Sequence, residues 1–387
     1  MTDNPDKTQT RKLTRRAVLA AGAAASGAAM LPMPALIGRA QAAGAKDAFK
    51  GEDLVVCTWS GVYEDAFKKA VVHPFNEQYG TRVATVGGWD QMAAQMKAAP
   101  PGQPPFDVTI IDEYTTVAAL TDNLLAKTAR SKVPNIEYVQ PWYIETRPEY
   151  ARDYGVPLGL GFLLPLINTG LVGEKPLSWT TLWDKELDGK LALDAGAFIW
   201  IVAVAAIWGA KLNIEQLYDW KPGQKSDPIF EKLEELRPAK WYRDGAELSF
   251  LMMQEQAAVA EIYSLDALGL VQNGGPDFKT GIPDDGTVAY TDWYSKVKGT
   301  QHSELSDTFL NYLLEKETQD RLLAITLTVL SRRDVTVPPH WPNYPKTNED
   351  LVKRVKLISM EGWEKLLPNF DALDARFKEA VLKTSRN

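Results

Sequence analysis

The sequence is poor in the residues that build metal and disulfide sites. It holds a single cysteine, Cys57, among 387 residues, so it can form no intramolecular disulfide framework and no cysteine-rich zinc or iron–sulfur site. Its three histidines, His73, His302 and His340, lie far apart along the chain, which argues against a histidine metal site. We therefore expect a protein that uses neither a metal nor a cofactor.

An excess of positive charge is also missing. The chain has 43 Lys and Arg against 50 Asp and Glu, a formal net charge of −7, whereas a surface that binds nucleic acid normally carries a basic stripe. We expect no nucleic-acid partner. The 12 Trp and 14 Tyr are instead consistent with a protein that holds a small ligand between aromatic faces.

The length points to more than one core. A single hydrophobic core stops growing beyond roughly 250–300 residues, so a chain of 387 residues is expected to fold as two lobes or domains. Hydrophobic residues make up 45% of the chain and charged residues 24%. This is the ordinary composition of a globular protein and not of a disordered one.

The N-terminus has the order of segments found in an export signal. Residues 1–16 are polar and basic and end in the pair Arg15 and Arg16, and a weakly apolar stretch rich in Ala and Gly follows. The small residues Ala40 and Ala42 then stand at the two positions that a signal peptidase requires. The arginine pair resembles a twin-arginine signal. We expect residues 1–42 to be a signal peptide that is cleaved near Ala42.

The alternative for this segment is an N-terminal membrane anchor. Its apolar stretch contains two prolines and ends in Arg39, which suits a membrane span of about 20 residues poorly. The most apolar run elsewhere, 198–210, has about the length of a buried helix. Without residues 1–42 the chain keeps 37 basic against 48 acidic residues, so the exported part is acidic.

Strands and helices alternate along the rest of the chain. Apolar, β-branched runs predict strands at 54–58, 82–86 and 106–111. Apolar residues at helical spacing predict a helix over 64–75 that closes near His73 and Pro74, a short helix over 91–99 and a further one from Thr115. This alternation is typical of a mostly parallel sheet flanked by helices.

Three loops after these strands each present an aromatic residue. They cover residues 59–63, 87–89 and 112–114, and ligands of such sheets collect at the carboxyl ends of the strands. Helix capping accounts for at most one of the two adjacent acids in the third loop. These loops predict aromatic walls and counter-charges around a cation, from Trp59, Ser60, Tyr63, Asp112, Glu113 and Tyr114.

The second half of the chain repeats the pattern of acid beside aromatic. Predicted strands at 191–194, 257–263 and 287–293 end on or beside acids. The apolar, glycine-rich run 159–166 predicts a crossing strand near a cleft. The second set of candidate ligand-binding residues is Asp194, Glu261, Tyr263, Tyr290 and Asp292. We rank Asp292 first among the acids because it stands between aromatics at a crossing strand, and Glu261 last.

Several sequence segments of the chain resemble those of the spermidine/putrescine-binding family of periplasmic solute-binding proteins, which serve ABC importers. The likeness lies in TWSGVY at 58–63, FDV at 106–108 with DEY at 112–114, SWTTLW at 178–183 and GKLALD at 189–194. At 290–292 the chain has Tyr-Thr-Asp where the family usually has Trp-x-Asp. The likeness covers essentially the whole mature chain.

The resemblance implies an α/β, two-lobed periplasmic-binding-protein fold. Each lobe is then a mostly parallel sheet flanked by helices, with the ligand cleft between the lobes. It implies that residues 43–154 and about 291–343 form lobe 1, and that 155–290 and about 344–387 form lobe 2. The crossing segments lie near 154–156 and 290–291. The lobes close on ligand, and the implied partner is a membrane permease. We expect a periplasmic monomer that is not an enzyme.

The resemblance also implies roles for single residues. Trp59 and Tyr63 stack on a methylene chain, Tyr114 adds a wall, and Asp194 and Asp292 pair with ammonium groups. Tyr263 and Tyr290 take places where the family commonly has tryptophan, and Asp112 stands where it more often has a small hydroxyl residue. The run 159–166 lacks the family's usual polar residues. The ligand is then a polyamine or a differently shaped cation.

Two other functions stay open at this point. An exported hydrolase would use Cys57 or a serine with a histidine base, although no G-x-S-x-G, H-E-x-x-H or P-loop motif occurs. The same fold could instead bind another amine, an amino-acid derivative or an anion. An anion needs basic residues after the strands, and the conceivable ones stand elsewhere, at Arg243, Lys296, Lys298, Arg332 and Arg333.

Replacing Arg15 and Arg16 by Lys is expected to leave the precursor in the cytoplasm. The paired arginines are what the twin-arginine route reads, and Lys keeps the positive charge that the general secretory route needs. Fractionation followed by immunoblotting of the tagged protein measures the distribution. Unchanged export of the double variant would exclude the twin-arginine signal while leaving a general secretory signal in place.

Overall fold

Short apolar runs rich in β-branched residues form the strands of a mixed α/β structure. The computed structural model describes residues 48–88, 91–272, 277–339, 341 and 343–385. The predicted signal peptide, Trp89 and His340 lie outside these residues. Residues 46–387 form one compact unit. Its described strands are β1 (Asp53–Trp59), β2 (Arg82–Gly88), β3 (Val108–Ile111), β4 (Val156–Asn168), β5 (Leu191–Asp194), β6 (Pro238–Tyr242), β7 (Val259–Tyr263), β8 (Phe278–Thr280), β9 (Thr287–Lys296), β10 (Val329–Leu330) and β11 (Val355–Leu357).

The strands form two sheets that share β4. In the first, β1 pairs in parallel with β2 and β3, β9 adds antiparallel to β3, and the first half of β4 adds antiparallel to β9. In the second, the rest of β4 pairs antiparallel with β7, which is followed in parallel by β5 and β6. This is the expected two-lobed α/β arrangement, with the long strands β4 and β9 between the two halves.

Helices cover the faces of both sheets, since both faces of β4 and β9 are buried. The described α-helices are α1 (Val62–Phe67), α2 (His73–Tyr79), α3 (Met92–Ala98), α4 (Glu113–Thr121), α5 (Pro141–Glu145), α6 (Thr169–Val172), α7 (Ile199–Val204), α8 (Ile214–Tyr218), α9 (Pro228–Leu233), α10 (Gly245–Met253), α11 (Ser264–Gln272), α12 (Ser303–Leu313), α13 (Lys316–Leu323), α14 (Asn348–Arg354), α15 (Met360–Leu366) and α16 (Phe370–Thr384).

The first helix does not close near His73 and Pro74, and that prediction was wrong. α1 continues through a π-helical turn, Lys68–Val72, into α2, which ends at Gly80 with a left-handed φ of 66°. Proline is tolerated in the first turn of a helical segment, where its missing N–H has no partner to lose. The π-helical turn changes the hydrogen-bonding register just before Pro74, so the chain stays helical.

The apolar run 198–210 is a buried helix, as predicted. All six residues of α7 are buried, and the chain continues into a π-helical turn, Ala205–Gly209. Within the part of the chain that the structure describes, we find no helix with both the length and the apolar character that a membrane span requires.

Gly155 lies at the start of the crossing strand β4, where its conformation excludes a side chain. Its φ is +102°, and a Cβ atom there would lie 2.2 Å from the carbonyl oxygen of Tyr294. The two crossing strands therefore approach each other more closely at this point than any residue with a side chain allows.

Gly155→Ala is expected to lower the free energy of unfolding by about 2–4 kcal/mol, because it adds a backbone clash to the strain of a positive φ. Gly102→Ala is the matched control, since Gly102 has a φ of +73° with nothing within 4 Å of an added Cβ. It should lose only about 1–2 kcal/mol. Urea unfolding measures both. Equal losses would show that the approach of Gly155 to Tyr294 contributes nothing.

Candidate functional site

The carboxyl end of β1 meets the crossing strand β9 at a buried hydrogen bond. Nε1 of Trp59 donates to Oδ1 of Asp292 over 2.7 Å, and Asp292 is only 1% exposed. Burial raises the pKa of Asp292 to about 7, the Trp59 hydrogen bond opposes that rise, and the charge of Asp112 adds to it. Asp292 is thus an acid that takes up a proton near neutral pH unless a cation approaches it.

Aromatic rings surround this carboxyl group. Tyr290 meets the ring of Trp59 edge-on at 6.2 Å between ring centroids, that of Trp200 at 5.5 Å and that of Tyr263 at 6.5 Å. The ring of Tyr290 lies over Gly161 of the neighbouring strand β4, where a Cβ atom would come within 2.2 Å of it. A glycine at this place in β4 is what lets the ring pack flat against the strand.

Tyr63, in the first turn of α1, lies near Asp292. It is 2% exposed, and its ring stacks on Phe67 at 6.1 Å. Burial raises the pKa of Tyr63 well above its usual value, and the charge of Asp292 adds to that rise. Ser60 is half-buried between β1 and α1, and its backbone N–H donates to the carbonyl of Gly88 over 3.3 Å.

A second pair of acids lies at the end of β5 and in the middle of β7. Asp194 accepts from the N–H groups of Gly196 and Ala197 and from the hydroxyl of Tyr263, which lies 3.3 Å away. Burial raises the pKa of Asp194 to about 6 against these hydrogen bonds. Part of its role is therefore to hold the turn that follows β5.

Glu261 is the more deeply buried member of this pair. It is fully buried, and its Oε2 accepts from the backbone N–H of Asp194 over 3.4 Å. Its Oε1 has no hydrogen-bond partner among the described residues. Burial raises the pKa of Glu261 well above its usual value, and the charge of Asp194 raises it further.

The adjacent acids after β3 have different roles. Asp112 is the N-cap of α4, and its Oδ1 accepts from the N–H of Thr115 over 2.7 Å. Glu113 is 1% exposed and accepts from both the backbone N–H and the hydroxyl of Thr291. Burial raises the pKa of Glu113 to about 8. Capping thus accounts for Asp112 but not for Glu113.

Helices that the sequence pattern did not link to the site complete its aromatic wall. Tyr114 packs against Trp363 of α15 at 5.1 Å and against Phe370 of α16 at 6.3 Å. Trp363 in turn meets Trp200 of α7 at 6.5 Å. Trp200 stands in the apolar run that follows Asp194, which is a weak signal that it lies near a strand end, whereas nothing in the sequence pattern pointed to Trp363.

Sequence reasoning also missed Arg147. This residue is fully buried and stacks on Trp293 with its guanidinium carbon 3.8 Å from the ring centroid. Burial lowers the pKa of Arg147 to about 9, while the charges of Glu113 and Asp112 oppose that change. The guanidinium therefore stays charged at neutral pH.

Most of the predicted residues come together in one continuous set of contacts. We call it the acid–aromatic cluster, which consists of Trp59, Tyr114, Asp194, Trp200, Glu261, Tyr263, Tyr290, Asp292 and Trp363. Tyr63 lies close enough for the charge of Asp292 to raise its pKa. Ser60, Asp112 and Glu113 border the cluster. Whether these residues contact a ligand stays a prediction.

Neither Cys57 nor the potential metal ligands among the described residues are placed as a hydrolase or a metal site would require. Cys57 is fully buried in β1, and burial raises the pKa of its thiol to about 11, so the nucleophilic thiolate does not form at neutral pH. Among the described residues, no three His, Cys, Asp or Glu side chains are placed to hold a metal ion.

Comparison with known proteins identifies the family. The sequence profile described as "Bacterial extracellular solute-binding protein" matches residues 70–349, well over half of the chain. The chain belongs to this family. This extracellular solute-binding protein is 22% identical over 221 residues to the "Spermidine/putrescine-binding periplasmic protein 1" of Haemophilus influenzae. That match covers 56% of the chain and 59% of the relative's own length.

Solved structures of binding proteins share the fold. The spermidine/putrescine ABC transporter substrate-binding protein PotD of Streptococcus pneumoniae matches with a TM-score of 0.71 and 18% identity, over 87% of this chain and 100% of that one. The binding protein MotA of A. tumefaciens in complex with glucopine matches with a TM-score of 0.66 and 20% identity, over 85% and 99%. At these identities the likeness shows the fold alone.

Asp292→Asn is expected to make the ligand-free protein more stable at pH 8. The folded-state pKa of about 7 is above the usual 3.8. Between these two values the folded protein therefore binds a proton that the unfolded protein has released. The stability that this proton provides is complete below pH 3.8 and is lost as the pH rises from there to about 7, at up to about 1.4 kcal/mol per pH unit. Asn does not titrate, so urea unfolding between pH 5 and pH 8 should show a flatter profile for the variant.

Asp53→Asn is the control for this pH profile. Asp53 is exposed, and its hydrogen bond with Arg82 lowers its pKa, so it titrates below the tested range and its variant should keep the slope of the parent. An Asp292→Asn variant whose stability falls as steeply as that of the parent would contradict the raised pKa of Asp292.

Proposed function

We propose that this extracellular solute-binding protein is the substrate-binding component of an ABC importer, and that its ligand is a small cationic amine of the polyamine class. The family assignment supports the first part. The second part is supported by the acids and aromatic rings of the acid–aromatic cluster. The names of the H. influenzae and S. pneumoniae relatives, which both refer to spermidine and putrescine, point the same way.

The burial of Asp292 is the observation that carries the proposal. Its carboxyl group is buried beside the ring of Trp59, and no cation of the described residues is among the groups that shift its pKa. A buried carboxylate without a cation is costly. An ammonium group supplies the missing charge, and the faces of Trp59 and Tyr290 attract it further.

The second acid pair suits a ligand with more than one ammonium group. Along the contacts described above, Tyr290 and Tyr263 stand between Asp292 and the pair Asp194 and Glu261. Aromatic rings between two acidic groups match a methylene chain between two ammonium groups. Because burial and the charge of Asp194 raise the pKa of Glu261, a cation there would displace a proton.

Closure of two lobes would enclose a ligand at these groups. We place residues 43–154 and about 291–343 in lobe 1 and residues 155–290 and about 344–387 in lobe 2, with the chain crossing near 154–156 and 290–291. Ligand favours the closed state only as far as it binds that state better than the open one. The buried acids provide that difference, since they are satisfied only when the cation is enclosed.

The cellular setting follows from the same assignment. We propose that the chain is exported by the twin-arginine route, is cleaved near Ala42 and acts in the periplasm as a monomer. Its closed form delivers the ligand to a permease of the inner membrane. No catalytic residue belongs to this function.

The fold by itself does not select the ligand, since the A. tumefaciens relative is a glucopine complex. Another amine or an amino-acid derivative is therefore the second candidate ligand. An anion has less support, because the guanidinium of Arg147 is directed to Thr116 and to the carbonyl of Tyr154. The guanidinium of Arg147 is thus held by hydrogen bonds to groups inside the protein.

Asp292→Asn is expected to weaken spermidine binding at pH 8 by about 1.5–3 kcal/mol, the scale of a hydrogen bond to a charged group. At that pH Asp292 is largely ionised in the parent, so the variant loses a full charge while keeping an oxygen that accepts from Trp59. Calorimetric titration of the mature protein with spermidine and with putrescine measures the change.

Glu315→Gln is the matched control for this titration. Glu315 is half-buried, burial raises its pKa to about 7, and it lies outside the acid–aromatic cluster. Its variant should bind spermidine as the parent does. Equal affinities of parent and Asp292→Asn would exclude Asp292 as the counter-charge, and a parent that binds only anions would exclude the proposed ligand class.

A further inference from the structure

The crossing strand β9 lacks a strand neighbour on one edge at the level of the acid–aromatic cluster. Along that edge β11 pairs with Thr287–Ala289 and β3 pairs with Trp293–Lys296. Among the strands that the structure describes, none pairs with this edge of residues 290–292. The stretch that carries Tyr290 and Asp292 is therefore the part of β9 that the sheet holds least.

The side chain of Glu113 occupies this gap. Its carboxylate accepts the backbone N–H of Thr291 at 3.1 and 3.3 Å, and the Thr291 hydroxyl donates to the same group. A buried backbone N–H requires an acceptor, which a neighbouring strand would normally provide. Glu113, in the first turn of α4, takes the place of that strand.

Glu113 and Asp292 lie on opposite faces of β9. Successive side chains of a strand point to opposite faces, so Tyr290 and Asp292 share one face while Thr291 and Trp293 share the other. Glu113 bonds to Thr291, and Arg147 stacks on Trp293.

The charge of Glu113 is balanced within the protein. Arg147 is fully buried, its Nη2 donates to the hydroxyl of Thr116 over 2.8 Å, and Thr116 belongs to the same helix as Glu113. The positive charge of Arg147 acts against the burial that raises the pKa of Glu113. With a pKa of about 8, Glu113 is mostly protonated at neutral pH, and Arg147 opposes the charge of its ionised form, so a ligand cation is not required to neutralise Glu113.

We propose that Glu113 is a positioning residue: it completes the open edge of β9 behind the site and so fixes Asp292 and Tyr290, with Arg147 as its charge partner. In this role it does not contact the amine, unlike the counter-charge role considered above. The inference rests on the proposed function, and it leaves Asp292 and the pair Asp194 and Glu261 as the acids that meet the ligand.

Two conservative variants distinguish the effect of side-chain length at position 113 from the effect of its charge. Glu113→Gln keeps an oxygen at the same distance from the N–H of Thr291 and loses the charge, whereas Glu113→Asp keeps the charge and is one methylene too short. We expect Glu113→Gln to bind spermidine within about threefold of the parent and Glu113→Asp to bind it about tenfold or more weakly, since only the second loses the hydrogen bond. Calorimetric titration at pH 8 measures both.

Hydrogen exchange gives a second readout that needs no ligand. The amide of Thr291 should exchange at least about tenfold faster in Glu113→Asp than in the parent, while Glu113→Gln stays close to the parent. If Arg147 without its charge partner prevents Glu113→Gln from folding, the double variant Glu113→Gln with Arg147→Met removes both charges and is expected to give the same results.

The reverse order of the two variants in spermidine affinity would overturn the proposal, because it would make Glu113 a counter-charge. Unchanged exchange of Thr291 in Glu113→Asp would overturn it as well. If the parent binds neither spermidine nor putrescine, the proposed ligand class fails, and the exchange of Thr291 alone then confirms or refutes the positioning role.

Discussion

The desolvation of carboxyl groups at the meeting point of the two sheets is the constraint on which the rest of the site depends. Asp292 can be buried because Trp59 donates to it and because rings enclose it. Asp194 is buried against the N–H groups of the following turn. Each buried acid therefore fixes a strand end, and the strand ends fix the aromatic side chains around them. The groups that we propose for ligand recognition are thus the ones that hold the local architecture.

Much of this arrangement could be predicted from the sequence because parallel strands place their carboxyl ends at one edge of a sheet. Short apolar runs identified the strands, and the residues just after neighbouring parallel strands, such as Trp59 and Asp112, therefore had to lie near one another. Asp292 was expected near the end of a strand because of its aromatic neighbours, whereas β9 continues to Lys296 and holds Asp292 in its interior. A period of two or of 3.6 residues carries this information locally.

The rest could not be predicted because it depends on how helices pack. The apolar run around Trp200 is buried on every side, so its pattern does not show which face meets the site. Trp363 reaches its place through α15, and Arg147 reaches its place through the turn that follows α5. Burial of an arginine runs against its usual preference for the surface. Pro74 stays within a helix because a π-helical turn precedes it, which no local propensity indicates.

Gly161 has a consequence for how the site could change shape. Because Gly161 has no side chain, the ring of Tyr290 lies directly on β4, and the depth of the site at that point is set by the pair and not by either residue alone. Among homologues, a larger residue at 161 should occur only together with a smaller one at 290. In laboratory evolution, paired substitutions at 161 and 290 would change the volume of the site and leave every acid in place. The size of the proposed ligand could then be altered without altering its charge.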